Sequence, residues 1–355
     1  MPDFSIDLAR ALAWTTLAMV ALMVLGLLVL RWLRWRNEPR MAAFVARWRP
    51  LVLQCAIGDA LPSPLPVLAR RERWPFMQLW LHAQMSVQGP SRQRLAELGM
   101  ATGCREMALA RLGSSHYSER MVGLLALGFL RDAASVPLLL QRLAQGSNHT
   151  VIYAGRALLE IDAAQHADAV VRALLACAAL DQSLVSVLLK PFRPVLAGAM
   201  LRQVGQPLAG ETVTPDAMAL RWLRLTRSLK LQVPQQVLAP HLQQTQDIER
   251  LIAAIRLVQG EQGADAVAAH AQHPQWQVRA QVARALGFVG THAQVPALLA
   301  LVCDAQWWVR YRAAQALLRM PGLPRQQVLQ QVAQRQDRYA LSMVQAVLAE
   351  DGGQA

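Results

Sequence analysis

Charge is scarce in this sequence, and lysine is scarcer still. Only 17% of the residues are Asp, Glu, Lys or Arg, against 54% apolar, and every basic residue except Lys190 and Lys230 is arginine. A chain so rich in core formers is excluded from the disordered class. The four cysteines, Cys55, Cys104, Cys177 and Cys303, are far apart, with no Cys-x-x-Cys. Neither a zinc site nor a disulfide framework follows, and they read as small buried hydrophobes. There is no Gly-x-Gly-x-x-Gly, no phosphate-binding loop, no His-Glu-x-x-His and no Gly-x-Ser-x-Gly, so the common cofactor and nucleophile signatures are missing. His270 and His273 sit one turn apart beside Pro274 without a third ligand in sequence reach, which makes them a solvated loop pair rather than a metal site. The chain is expected to be no enzyme and to need no cofactor. Strand-like alternation is also scarce, which leaves an all-α fold.

What the sequence does have is one long uncharged apolar block. Residues 11–30 contain no Asp, Glu, Lys or Arg, enough for a helix to cross a hydrocarbon core of ~30 Å. A cleaved signal peptide has a basic start and a shorter apolar stretch. This block is preceded by Asp3, Asp7 and Arg10 and exits into Arg31, Arg34, Arg36 and Arg40, so it reads as an uncleaved anchor. Short Arg-rich flanks stay on the cytoplasmic side. The expected topology is single-pass in the bacterial inner membrane, with residues 1–10 outside and the rest cytoplasmic. Trp14, Trp32 and Trp35 lie where indole rings settle at headgroup depth. The exit arginines are suited to anionic lipid, each contributing about 1 kcal/mol at the surface. The formal charge of +13 points in general to anionic partners. Nucleic acid is a poorer reading, because no nucleic-acid motif occurs and no basic stripe can be placed on one face.

Beyond residue 115 the chain repeats itself. Trp276, Val278, Arg279, Ala283, Ala285 and Leu286 recur as Trp307, Val309, Arg310, Ala314, Ala316 and Leu317 at an offset of 31. An earlier stretch matches the same unit in Arg120, Ala126, Leu127, Gly128, Phe129, Ala134, Val136, Pro137 and Leu140. Within a unit the apolar residues fall at helical spacing: Val278, Val282, Leu286 and Val289, then Val295, Leu298, Leu299 and Val302. The run Gly290-Thr-His-Ala separates them, and Pro296 opens the second helix, where its missing N–H costs nothing. Each unit is a helical hairpin that buries its apolar stripe only by stacking on the next. Residues 116–350 hold about seven or eight such units, the last a closing half unit, and residues 351–355 form a tail. Residues 31–115 read as a basic juxtamembrane segment and a helical cap, with helices over 41–57, 74–87, 91–98 and 104–112 and a rigid break at Leu61-Pro-Ser-Pro-Leu-Pro66. Ser91 is placed as a helix cap.

The run from Val278 to Gly290, followed by Ala293, Val295, Pro296, Leu298 and Leu299, resembles a HEAT-like repeat of the subtype named after phycobilisome lyases, and residues 120–143 resemble it nearly as well. The resemblance implies an α-solenoid of stacked hairpins with a period of about 31 residues. The pattern is lost between residues 181 and 244, where Pro191, Pro194 and Pro234 interrupt helical runs.

Arg120, Arg279 and Arg310 recur in phase with the core and are expected to bond the neighbouring turn. Trp276, Trp307 and Trp308 open successive first helices and could anchor a partner, since Trp and Arg dominate interface energetics. Packing between neighbouring hairpins is the alternative; Trp307 keeps the repeat phase, which favours Trp308 as the exposed one of that pair, and Trp276 and Trp308 are the partner-binding candidates, together with Arg142 and Arg172 on the second helices. The expected function is a membrane-anchored cytoplasmic scaffold that binds another protein, such as a membrane-bound enzyme of envelope biosynthesis, for example a glycosyltransferase. The subtype's name brings a bilin lyase as the alternative, against which stand the anchor and the missing acid, base and cofactor cluster. A regulatory adaptor on anionic lipid or nucleic acid is favoured by charge alone.

Overall fold

The computed structural model describes residues 2–58, 61, 64–206, 214–243 and 247–352, the side chains of 2–13, 30, 33–37 and 351–352 excepted. Among the described residues the secondary structure is helical throughout, with no strand. The helices are α1 (Pro2–Ile57), α2 (Arg73–Ser86), α3 (Pro90–Ala101), α4 (Cys104–Leu112), α5 (Tyr117–Phe129), α6 (Val136–Gln145), α7 (Asn148–Ile161), α8 (Ala163–Ala176), α9 (Gln182–Leu188) and α10 (Arg193–Arg202). They continue as α11 (Pro215–Ser228), α12 (Gln235–Gln243), α13 (Ile248–Ile255), α14 (Ala264–Ala268), α15 (Trp276–Val289), α16 (Val295–Leu301), α17 (Trp307–Arg319), α18 (Arg325–Ala333) and α19 (Arg338–Gly352). The chain divides into two compact units, Met1–Asp132 and Ala133–Ala355.

In the first unit, the expected helix over 41–57 is not separate: it is the C-terminal part of α1. Nothing in the sequence between the apolar block and residue 57 breaks a helix except Pro39 and Pro50, and both are accommodated inside it. Phe44, Trp48, Val52, Cys55 and Ala56 are buried, an i, i+4, i+8 stripe that lays one face on the cap helices. Trp48 meets Phe76 of α2 edge to face at 4.6 Å. The end of α1 is tied down by Arg94 of α3, whose Nε and Nη2 donate to the carbonyls of Cys55 and Ala56, each at 3.1 Å. Ser91 is not the cap expected of it. Helix α3 already starts at Pro90, behind Gly89 at φ 66°, and the Ser91 hydroxyl accepts from Arg94 Nη2.

Residues 14–29 of α1 differ from this buried stripe. Trp14, Leu17, Met19, Val20, Leu22, Met23 and Leu25 are all exposed, as is the rest of that stretch. No single helix among the described residues is long and apolar enough to cross a membrane; the described apolar stretch is Trp14–Val29. Residues 11–13 and 30 of the sequence block lie outside the described side chains.

The second unit is a stack of hairpins. Each first helix packs on the next, α7 on α9, α9 on α11, and so on through α13, α15 and α17 to α19. Second helices line the other layer, with α6 against α8, α8 against α10 and α12 against α14. The α15–α17 approach is close because it is made between small residues: a β-carbon at Gly287 would lie 3.0 Å from both Cα and Cβ of Ala316. The repeat-phased positions are the core, with Val278, Ala283, Leu286, Val309, Ala314 and Leu317 all fully buried. Helix α19 closes the stack as the half unit expected there.

The prolines that obscure the pattern after residue 181 are absorbed at helix starts. Pro191 begins a short 3-10 turn, and Pro194 and Pro215 fall in the first turns of α10 and α11, where no backbone donor is needed. The short α9 is held from α7 by a buried arginine. Arg156 donates to the Leu188 carbonyl and to Glu160, and its guanidinium lies 4.9 Å from the centre of the Phe192 ring.

Candidate interaction surface

The in-phase arginines make one repeated contact. Nη1 of Arg120 donates to the carbonyls of Ser114 and Ser115, both at 2.9 Å. Arg279 does the same to His273 and Pro274 at 2.8 and 2.9 Å, and Arg310 to Asp304 and Ala305 at 2.8 and 3.0 Å. Each closes the two carbonyls five and six residues upstream, at the turn before its own helix. These arginines hold the turn, as the sequence suggests, and do not point to a ligand. Arg279 does more, because its Nε and Nη2 also grip both carboxylate oxygens of Asp304 in the next turn, at 2.6 and 2.9 Å. Burial works to raise the Asp304 carboxyl, but hydrogen bonds from Arg279 and the Gln306 amide, with the charges of Arg279 and Arg310, outweigh it and hold it below the usual carboxylate range. The hydrogen bond to Asp304 in turn raises Arg279.

The tryptophans divide differently from the sequence expectation. Trp276 is half-buried. Trp307, expected to pack inward because it keeps the repeat phase, is 49% exposed, against 52% for Trp308. The phase places Val309 in the core, and a residue two positions earlier on a helix points about 200° away from it. Trp307 stacks on Tyr311 at 5.1 Å, with ring planes 9° apart, and meets Trp308 edge to face at 4.7 Å. Tyr311 Oη donates to Glu350 of α19 at 2.9 Å. Beside this cluster, exposed Tyr339 lies between Arg310 and Arg338, 5.6 and 4.6 Å from its ring centre. The result is an aromatic ridge at the C-terminal end of the stack, with Trp307, Trp308 and Tyr339 exposed and Tyr311 half-buried. The sequence signal for Tyr311, one helical turn after Trp307 and Trp308, went unused.

Arg142 and Arg172, expected to bind the partner together with the tryptophans, are exposed on α6 and α8, in the second-helix layer rather than the first-helix layer that carries the ridge, so the structure does not bring the two sets together and the ridge alone stands as the candidate binding surface. Of the exit arginines, Arg31 and Arg40 are exposed on α1, as are Trp14 and Trp32. The side chains of Arg34, Trp35 and Arg36 lie outside the described residues.

The histidine and cysteine side chains have structural occupations. His270 Nε2 is 2.7 Å from the Leu242 carbonyl, and His273 Nδ1 accepts from the Gln275 amide at 3.1 Å. Cys55 and Cys104 are buried, while Cys177 and Cys303 are half-buried rather than fully inside. Burial pushes the Cys104 thiol up to about 12, which keeps it protonated and unreactive. Among the described residues no group of three or more His, Cys, Asp or Glu side chains converges. A cavity of ≈ 810 Å³ belongs to the first unit and is lined by Leu65, Arg70, Arg73, Trp74, Glu106 and Arg111 among others. The sequence does not announce it, because the segment 64–72 that helps wall it carries no periodic signal.

Residues 235–318 and 264–349 match the family model for HEAT repeats. No curated protein matches the chain.

Proposed function

We propose that this protein is a membrane-anchored scaffold whose stacked hairpins hold a partner protein. HEAT repeats suggest interaction scaffolds in general, and stacking of this kind builds extended binding surfaces. The observation that carries the reading is the ridge of exposed Trp307, Trp308 and Tyr339 around half-buried Tyr311, because a cluster of large aromatics flanked by arginine is the composition of a protein-binding hot spot. The finer repeat subtype, the one named after phycobilisome lyases, rests on Val278-Arg279 and Leu286-Gly287 of α15 and on Arg120 and Leu127-Gly128 of α5. Against bilin chemistry stand the burial of Cys55 and Cys104 and the hydrogen bonds that occupy His270 and His273.

The anchor is the exposed apolar stretch of α1. Sixteen residues, Trp14–Val29, rise about 24 Å as a helix. With the uncharged residues 11–13 and 30 that flank it in sequence, the block matches a hydrocarbon core of ~30 Å. Exposure on every side of a helix is costly in water and favourable in lipid. The Arg-rich exit assigns the repeats to the cytoplasmic side of a bacterial inner membrane, with Arg31, Arg34, Arg36 and Arg40 against anionic headgroups and Trp14, Trp32 and Trp35 at the interface. The client in this reading is a membrane-bound enzyme of envelope biosynthesis, for instance a glycosyltransferase. The test is affinity purification of the detergent-solubilised full chain with mass spectrometry. One protein, retained by the wild type and depleted from a Trp307→Ala/Trp308→Ala variant of unchanged fold, is the expected result; equal recovery with both would refute the ridge as its anchor.

A further inference from the structure

The first-helix layer carries a line of arginines that the sequence alone does not align. Arg227 lies at the end of α11, Arg256 just past α13, Arg284 on α15, and Arg312 and Arg319 on α17. Arg227, Arg256, Arg284 and Arg312 follow one another at 29, 28 and 28 residues, a little short of the 31-residue repeat. Counted from the first residues of α11, α13, α15 and α17 they lie 12, 8, 8 and 5 positions along, so the line shifts about one turn toward the helix starts at its first and third steps and stays level at its second, crossing the layer on a stepped diagonal. Arg227, Arg256, Arg284 and Arg319 are exposed and Arg312 is half-buried.

These arginines make no ion pair of their own, although Glu249 shares a cleft with two of them. Among the described residues no carboxylate lies within ion-pair distance of any of the five. Arg256 Nε reaches instead across to Gln281 Oε1 on α15 at 3.0 Å, and Arg312 Nη1 to Gln315 Oε1 at 2.9 Å. Burial, with the charges of Arg227 and Arg284, holds the Arg256 guanidinium below its ordinary value: the three are near enough to repel one another. The carboxylates nearby are already engaged, Glu249 with Arg224 at 2.7 Å and Glu350 with Tyr311. Two clefts open along the line. One, ≈ 370 Å³, lies between α11 and α13 with Arg224, Arg227, Ile252 and Arg256 on its walls and one carboxylate, Glu249, held by Arg224. The other, ≈ 90 Å³, lies between α15 and α17 where Arg284, Phe288, Arg312 and Arg319 meet. Phe288 is 70% exposed there.

We infer that this diagonal of arginines is the docking track for an extended acidic segment of a partner protein, with Asp or Glu at about every third position and an apolar side chain set against Phe288. Like charges held together with no counter-charge cost stability, and a complementary ligand recovers that cost. The spacing selects polypeptide over nucleic acid. Neighbouring helices stand about 9 Å apart, and a polyproline-II segment returns every third side chain to the same face after a rise of about 9 Å, so successive carboxylates meet successive helices. Phosphates along one strand of nucleic acid come far more closely, about every 3.4 Å of helix axis. This inference rests on the scaffold reading and gives its partner a chemistry.

The test uses the full chain in detergent micelles and fluorescence anisotropy of three labelled probes: an extended peptide with glutamate at every third position and one central leucine, the same peptide with glutamine for glutamate, and a single-stranded oligothymidylate. The glutamate peptide should bind about tenfold or more tighter than either of the others. Arg256→Glu/Arg284→Glu should abolish that preference, and Arg142→Glu/Arg172→Glu on the second-helix layer should leave it. If charge reversal disturbs folding, judged by circular dichroism, Arg256→Gln/Arg284→Gln replaces it, with about a tenfold loss expected. Tighter binding of the oligothymidylate, no preference for glutamate, or an equal effect of the Arg142/Arg172 pair would overturn the track. If the glutamate peptide fails while partner recovery by the Arg256/Arg284 variant stays at the wild-type level, the track falls and the scaffold stands; if the wild type recovers no partner at all, the scaffold falls with it.

Discussion

Asp304 holds Arg279 with both of its carboxylate oxygens, at 2.6 and 2.9 Å, while the same guanidinium closes the carbonyls of His273 and Pro274. One side chain thereby fastens its own turn to the turn of the next hairpin. The Asp304 side chain is 9% exposed and that of Arg279 17%, so removing either leaves a poorly solvated partner. Asp304→Ala and Arg279→Ala should each cost about 2 kcal/mol, measured as a loss of stability in urea.

The same pair sets an acid limit. The folded-state carboxyl of Asp304 lies below its ordinary 3.8, so its contribution is fully present above that value and is lost as pH falls through the folded-state value. Acid titration of stability followed by circular dichroism should show a smaller loss below about pH 4 for Asp304→Asn than for the wild type. Identical acid profiles would show that the pair is not coupled to folding.

The close packing of α15 on α17 yields a contrast in stability. Gly287→Val would place side-chain atoms against the backbone of Ala316, and Ala314→Trp would force an indole into a fully buried slot. Each should cost on the order of 1 to 3 kcal/mol or more. Arg312→Ala, half-buried and bonded only to Gln315 of its own helix, should change stability little. Equal urea midpoints for the three variants would contradict the assigned packing.

Much of this stack was legible from Trp276 to Leu317, because Val278, Ala283 and Leu286 recur as Val309, Ala314 and Leu317 and burial enforces that recurrence. Where Pro191, Pro194 and Pro234 fall, the helices persist but shorten, and a reading that counts matched positions loses them. The arginine diagonal was illegible for a related reason. Its 28-residue steps are out of phase with the 31-residue repeat, so it becomes a line only when helices are laid side by side. Trp307 misled because sharing a repeat position was taken to mean facing the core. That position lies at the helix start, where Arg310 rather than the indole makes the inward turn contact.

Topology follows from the arginine-rich exit of the apolar block. A periplasm-specific reporter fused after Ala355 should be inactive and a cytoplasmic reporter at the same point active, and the full chain should sediment with membranes and resist carbonate extraction. The opposite reporter pattern would place the repeats outside.

Scaffold and enzyme separate on which residues are indispensable. Replacing any single His or Cys should leave partner recovery intact, whereas Trp308→Ala should reduce it about tenfold, as loss of a hot-spot aromatic does. Loss of function from one His or Cys substitution, with fold and membrane association unchanged, would point to chemistry rather than scaffolding.

The central claim is that a partner protein sits on the first-helix layer beside the aromatic ridge. Site-specific photo-crosslinking in membranes tests it most directly, with Trp308→p-benzoylphenylalanine and Phe288→p-benzoylphenylalanine on that layer and Arg172→p-benzoylphenylalanine on the other. The account predicts an adduct to one and the same protein from positions 308 and 288 and none from 172. An adduct from 172 alone, or none from any of the three in cells where the chain is functional, would contradict it.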